Sequence, residues 1–284
     1  MKRSTLFIIC TTALLLVVGI VIAALLFNDA TKEAKLETGL YFIEARGALF
    51  VSEREDVTLP LLVYYYNNGK SDDSEIIEQY TDFALLTDEG EEIPFEVPGD
   101  ILSGFKFGDD ARIKQNEIPV TIGHDAIHNE SITITGLKYS DEKKQINEVD
   151  IGKIDICRKA NTYESVKVFA RRIVFAKFVL PTIRQYSVFV ENPSDEDMIV
   201  NSIDFGETGL VSKEIDFLVK PADESSEVVF DVTENNQEGC YIYYLKPAFN
   251  IVTANKPLVV IQSNISSQRY IGDGDVLFDY FANK

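Results

Sequence analysis

Between Ser4 and Asn28 the chain carries no charged side chain, and Leu6–Phe27 is a 22-residue run that is almost wholly aliphatic. A helix rises about 1.5 Å per residue, so about 20 such residues cross the hydrocarbon core of a bilayer. A cleavable signal has a shorter apolar run, about 7–15 residues, closed by small side chains. Here Leu25, Leu26 and Phe27 follow the Ala23-Ala24 pair, and Ala30 has Asn28 where a second small residue belongs. An uncleaved membrane-spanning helix is therefore expected over 4–28. Lys2 and Arg3 hold the N-terminus in the cytoplasm, while Asp29, Lys32, Glu33, Lys35 and Glu37 make the other flank net negative. Residues 29–284 are expected outside the cytoplasm, on a short stalk at 29–37.

The whole chain has 46 acidic and 27 basic residues, a formal net of −19. Without Lys2 and Arg3 the basic count is 25, so the extracytoplasmic part carries −21. Such a surface repels phosphate backbones and anionic headgroups. Nucleic acid is not expected as a partner; a protein near the membrane surface is. Of the three cysteines, Cys10 lies in the apolar run, leaving Cys157 and Cys240 for the folded region. That is too few for a disulfide-stapled scaffold. With a separation of 83 residues and expected places in different domains, they are not expected to pair.

Beyond the stalk, short alternating or β-branched stretches are separated by turn residues. Leu59–Tyr66, Ile132–Leu137, Val149–Cys157, Val188–Glu191, Val228–Val232, Cys240–Leu245 and Leu258–Ile261 read as strands. Gln79–Leu86 suits helix or strand and is read as strand; no other segment after the anchor keeps a helical period. Asn67-Asn68-Gly69, Asp88-Glu89-Gly90 and Asn192-Pro193-Ser194 supply turn chemistry. The halves also echo each other. Val63-Tyr64-Tyr65-Tyr66-Asn67 corresponds to Val188-Phe189-Val190-Glu191-Asn192. Asp82-Phe83 and Glu92-Ile93-x-Phe95-x-Val97 both recur 122 residues later, at Asp204-Phe205 and Glu214-Ile215-x-Phe217-x-Val219. Leu137-Lys138 matches Leu245-Lys246 at an offset of 108, which implies an insert at about 98–131 in the first copy.

That order of motifs resembles the tandem immunoglobulin-like modules of bacterial membrane-anchored surface proteins, although the cysteines and tryptophan of antibody domains are missing. The resemblance implies an all-β fold: two tandem immunoglobulin-like β-sandwiches, at 38–159 and 160–284, after one transmembrane helix. It implies no particular activity.

His124-Asp125-Ala126-Ile127-His128 contains both histidines of the chain, four residues apart. On a helix this spacing places two imidazoles on one face, where they could hold zinc, with Asp125 polarising a water and Glu148 as a third ligand. Against this, Gly123 precedes the motif, Ile118–Ile122 and Ile132–Leu137 flank it as strands, and zincins carry Glu where Asp125 stands. A loop is expected, with His124 and His128 the only candidate metal ligands. Cys157, His128 and Arg171-Arg172 invite comparison with sortase-like transpeptidases, but Ile154-Asp155-Ile156-Cys157 replaces their Thr-Leu-x-Thr-Cys. Ser140-Asp141-Glu142-Lys143 matches Ser-x-x-Lys without its partner motifs and sits in a hydrophilic hairpin. Asp109-Asp110 and Ile271-Gly272-Asp273-Gly274-Asp275 are read as acidic turns rather than calcium loops. Asn129-Glu130-Ser131 and Asn264-Ile265-Ser266 are formal glycosylation sequons. Consecutive tyrosines in a strand face opposite sides, so Tyr64, Tyr65, Tyr66, Tyr241, Tyr243 and Tyr244 are candidates for a partner surface.

No complete catalytic motif emerges, and no cofactor is expected. The sequence reads as a non-enzymatic binding or scaffold protein. The alternatives are a metal-dependent hydrolase using His124 and His128, and an accessory subunit of a membrane complex packed through Gly19 and Ala23-Ala24.

Overall fold

The computed structural model describes residues 36–67, 80–97, 105–106, 113–127, 130–141, 143–160, 166–175, 183–221, 225–234, 242–253, 256–267 and 274–282. The expected anchor at 4–28 and most of its stalk lie outside the described residues, as do His128, Cys240, Tyr241, Asp109-Asp110 and much of the expected insert. No helix among the described residues is long and apolar enough to cross a membrane.

The fold is all-β, with several sheets. In chain order the strands are β1 (Gly39–Tyr41), β2 (Ala45–Val51), β3 (Val57–Tyr66), β4 (Thr81–Thr87), β5 (Glu92–Pro94), β6 (Phe105–Lys106), β7 (Ile113–Ile122), β8 (Ser131–Ser140) and β9 (Ile146–Arg158). There follow β10 (Lys167–Phe175), β11 (Ile183–Glu191), β12 (Met198–Asp204), β13 (Leu210–Ser212), β14 (Phe217–Val219) and β15 (Ser226–Glu234). The last are β16 (Ile242–Lys246), β17 (Ala248–Thr253), β18 (Lys256–Ile261) and β19 (Ser266–Ser267). Thr38–Gly274 is one compact unit. A helix, α1 (Gly274–Ala282), belongs to a second unit. It occupies part of what reads in sequence as an acidic turn, and Leu277 and Phe281, four apart on one face, are both buried.

Alternation explains each strand's place. In β15, Val228, Phe230 and Val232 point inward while Glu227, Val229 and Asp231 are exposed. Such a strand can cover a core with one face and meet water with the other. Two sheets run in the orders β1-β3-β7-β6 and β10-β11-β15-β13, and a third runs β14-β12-β17-β18. The remaining sheet has seven strands, β19-β16-β2-β9-β8-β4-β5. The second and third sheets enclose one apolar core that includes Val168, Tyr186, Val188, Val200, Phe230, Phe249 and Ile251.

The seven-stranded sheet corrects the expected boundary at 159/160. β2 pairs in parallel with β9 on one side and with β16 on the other, so strands from both sides of residue 160 share one sheet. The reason lies in β16, where both faces are apolar. Tyr243 and Leu245 join the core of the second half. Tyr244 faces the first half, where its hydroxyl oxygen accepts a hydrogen bond from the Leu62 backbone N–H at 2.9 Å. The outer face of β2 is covered in turn: Phe50 clusters with Ala248, Ile261 and Cys157. Lys159 pairs with Asp204 at 2.7 Å and Lys153 with Glu207 at 2.7 Å. In the second half Tyr186, fully buried, donates to Gln262 Oε1 at 2.6 Å and lies 2.8 Å from Ser266 Oγ. Burial pushes its phenol well above the ordinary range.

The halves share the order of their central strands but differ at the edges: β5 joins β4 and β6 joins β7, whereas the earlier β13 joins β15 and the later β14 joins β12. The motifs sharing an offset of 122 do not coincide in register either. Phe95 bonds back to Phe83, whereas Phe217 pairs with Val200, ahead of Phe205. Asp82-Phe83 opens β4, while Asp204-Phe205 closes β12.

Lys246, only 4% exposed, is held by the Glu55 carboxylate from the turn after β2. Burial raises the Glu55 pKa, but its bonds to Lys246 and Ser52 outweigh that and leave it below the ordinary 4.5. A depressed carboxylate stabilises the fold above its unfolded pKa, and that contribution disappears as pH falls through the folded value. Glu55→Gln is expected to lower stability at pH 7 by about 2 kcal/mol, discounted for the partial exposure of Glu55. Urea midpoints of variant and wild type should converge at acid pH, once the pH has fallen below the folded pKa of Glu55 and its carboxyl is protonated. A gap of the same size at both pH values would remove this pair from the pH dependence.

Candidate functional site

Three adjacent strands of the large sheet, β4, β8 and β9, are irregular at nearly the same level. β8 and β9 slip between Ile134 and Gly136, and β4 and β8 slip between Leu86 and Thr87. In β9, Asp150 Oδ1 accepts the Gly152 N–H at 2.8 Å. Gly152 takes φ +91°, so that a Cβ there would stand 2.2 Å from the Ala45 carbonyl oxygen of β2. At Gly136 a Cβ would meet Leu86 and the Val149 carbonyl at 3.2–3.3 Å. Bulges of this kind re-aim side chains and open a sheet locally. The result is an open groove of about 710 Å³ crossing β2, β9, β8 and β4, floored by Leu86, Thr135, Gly136 and Val149.

Its rim carries Glu44, Glu92, Glu148 and Asp150 against Arg46 and Lys153. Both cations are engaged by acids. Lys153 lies 2.7 Å from Glu207 and 3.2 Å from Asp155, and the bond to Glu207 holds its ammonium above the ordinary pKa. Arg46 stands 4.0 Å from Glu234. Outside the rim, Lys138 bonds Glu92 at 2.6 Å, which raises the pKa of Lys138. Glu148 is exposed on β9. The groove is therefore net negative.

The residues singled out in sequence lie elsewhere. His124 opens a single 3₁₀ turn, His124–Ala126, between β7 and β8. Its backbone N–H and its ring Nδ1 both meet Asp56 Oδ1 at 2.8 Å. The side-chain bond to His124 is the main reason Asp56 titrates below the ordinary carboxylate range. Arg158 Nη2 donates to the His124 carbonyl at 2.6 Å. Glu148 sits ten residues before Arg158 on β9, roughly 30 Å of extended chain. The spacing to Glu148 therefore does not bring it to His124. No group of three His, Cys, Asp or Glu among the described residues is placed to hold a metal ion.

For the five tyrosines among the described residues, the expected partner surface is corrected. Tyr64, Tyr65, Tyr66, Tyr243 and Tyr244 are between 0% and 5% exposed, because β3 and β16 are covered on both faces. Tyrosines on opposite faces need not put any on the outside when a second sheet or strand lies over each. Cys157 packs by Phe50, Ala248 and Ile261; burial, then the nearby Asp155, Glu207 and Asp204 carboxylates, raise its thiol pKa. Arg171 pairs with Glu227 of β15. Ser140 ends β8, and Asp141 and Lys143 lie in the hairpin after it, with Asp141 Oδ1 accepting the N–H groups of Lys143 and Gln145. Asn264 of the second sequon is exposed, and its side-chain oxygen accepts from the Ala170 N–H at 3.1 Å. The groove itself escaped the sequence reading. Its signal was Gly136 and Gly152 inside strand patterns, where glycine marks a bulge or close backbone approach.

No protein-family model matches the chain, and no curated protein matches it. Among solved structures, it is similar to dimeric latent PorU from Porphyromonas gingivalis, at 13% identity over 84% of this chain and with a TM-score of 0.22. The chain covers 20% of that PorU chain. It is also similar to CBD12 from CALX1.2, at 11% identity over 74% of this chain and 80% of that one, with a TM-score of 0.19. What the chain shares with both is a β-rich architecture.

Proposed function

We propose that the chain is a non-enzymatic binding or scaffold module, tethered through residues 4–28 to the outer face of a membrane and built from two immunoglobulin-like sandwiches. The orders β1-β3-β7-β6 with β9-β8-β4-β5, and β10-β11-β15-β13 with β18-β17-β12-β14, support the sandwich reading. Each has the two-sheet arrangement of such domains. The observation that carries the functional reading is the groove on the outer face of the seven-stranded sheet. It lies on a surface stiffened by strands from both halves, and rigid placement lowers the ordering cost of binding. A protein near the membrane is the partner class that suits an acidic surface on a short stalk.

The test is photocrosslinking in intact membranes. A photoreactive residue at Glu148, on the groove rim, should give one discrete adduct with a protein partner. The same residue at Glu214, exposed and outside the groove lining, should not. No adduct at 148, or the same adducts at both sites, would sink the reading. A partner that is itself an integral membrane protein would make this chain the accessory subunit of a complex.

A further inference from the structure

We infer that the groove takes a short, extended, lysine- or arginine-bearing segment of the partner protein, an inference that rests on reading the chain as a binding module. The first ground is shape. The groove crosses four strands, and strands lie about 4.8 Å apart, so its length is on the order of 15–20 Å. That accommodates about five residues of extended chain at about 3.4 Å each. Its volume, about 710 Å³, is within the range that binding clefts occupy.

The second ground is the distribution of charge. Glu148 and Asp150 stand on β9, Glu92 on β5 and Glu44 just before β2, spread along the rim. They do not converge on one point as ligands of a single metal ion do. Side chains of an extended peptide point to one face at every second residue. Cations at that spacing meet successive carboxylates along a rim of this kind. Arg46 and Lys153 do not cancel the field, since Glu234, Glu207 and Asp155 already engage them; of the rim acids, Glu92 is itself held by Lys138, so Glu148 and Asp150 of β9 weigh most.

The third ground is the chemistry of the lining. Among the described residues it contains no aromatic side chain, and sugar rings and nucleobases are held largely by stacking on aromatic faces. A floor of small, aliphatic and hydroxyl groups, with glycines letting a backbone come close, suits a peptide. A larger residue at Gly152 would meet the β2 backbone, and one at Gly136 would meet Leu86 and the Val149 carbonyl, so both glycines hold together the strands that form the floor.

The experiment uses the full chain in detergent micelles and a fluorescein-labelled (Lys-Thr)4 peptide, followed by anisotropy at about 50 mM salt, where screening is weak. The cationic peptide should bind, and the matched (Glu-Thr)4 peptide should not. Glu148→Lys should weaken binding by about tenfold and Glu214→Lys, with the same change in net charge, by less than about twofold. Equal weakening would mean general attraction to a polyanion and would overturn the proposal. So would binding of the acidic peptide, or spermine displacing the labelled peptide at equal concentration, which would assign the groove to small polyamines. Failure here is separable from failure of the binding-module reading. If the adduct at 148 forms but excess (Lys-Thr)4 does not suppress it, the cationic-peptide assignment falls and the module reading stands. If no adduct forms at 148, the module reading itself falls.

Discussion

Replacing Gly152 with alanine is expected to cost about 2–5 kcal/mol of stability. Positive φ alone costs an L-residue about 1–2 kcal/mol, and forcing a methyl into a packed site adds about 1–3 kcal/mol. The obstruction at Gly152 is backbone: a Cβ would lie 2.2 Å from the Ala45 oxygen, 2.5 Å from its nitrogen and 3.0 Å from its carbonyl carbon. Those atoms cannot withdraw without opening the parallel ladder between β2 and β9, which begins at the Ala45–Gly152 pair. Gly90 provides the control. It takes φ +82°, and a methyl placed on its Cα would meet nothing within 4 Å, so Gly90→Ala should cost only about 1–2 kcal/mol. Urea denaturation of the two variants measures the difference. A Gly152→Ala penalty no larger than that of Gly90→Ala would show that the close approach does not constrain the sheet.

Tyr244→Ala should cost about 3–5 kcal/mol, the usual penalty for deleting a buried aromatic ring. Tyr244→Phe should cost about 1–2 kcal/mol, because it keeps the ring and leaves the Leu62 N–H without its acceptor. The positions of Tyr243 and Tyr244 on opposite faces of β16, one in the core of each half, predict more than a loss of stability. Unfolding of Thr38–Gly274 should be a single transition, with circular dichroism and tyrosine fluorescence coinciding. Two resolved transitions in the wild type would mean that the shared sheet does not couple the halves.

Much of the strand content was legible because alternation is a local signal. Leu59–Tyr66, Val188–Glu191 and Leu258–Ile261 fall inside β3, β11 and β18, and each ends near residues that favour turns. What stayed hidden is nonlocal. Ala45–Val51 is buried at Ala45 and from Gly47 onward and so lacks the period of a half-exposed strand. Nothing in its seven residues announces partners near 154 and 244. The tyrosines were misplaced for a related reason. Period two says that Tyr243 and Tyr244 face opposite ways, but whether either side meets water depends on chain far away. The motif echoes were misleading as register, since Phe95 and Phe217 fall on different partners. His124 shows the limit of spacing arguments. Its ring is held by Asp56, which lies 68 positions earlier, a contact that no spacing within the motif reveals.

The place of β2 between β9 and β16 has a consequence in time. During synthesis β9 leaves the ribosome well before β16, and at about 5–20 residues per second the interval is on the order of ten seconds. Throughout it, β2 presents a bare row of backbone donors and acceptors on the side that Ile242–Lys246 will later fill. An open edge of that kind recruits other strands. The nascent first half must therefore wait, guarded or at low local concentration, for a short strand that is made only after β15.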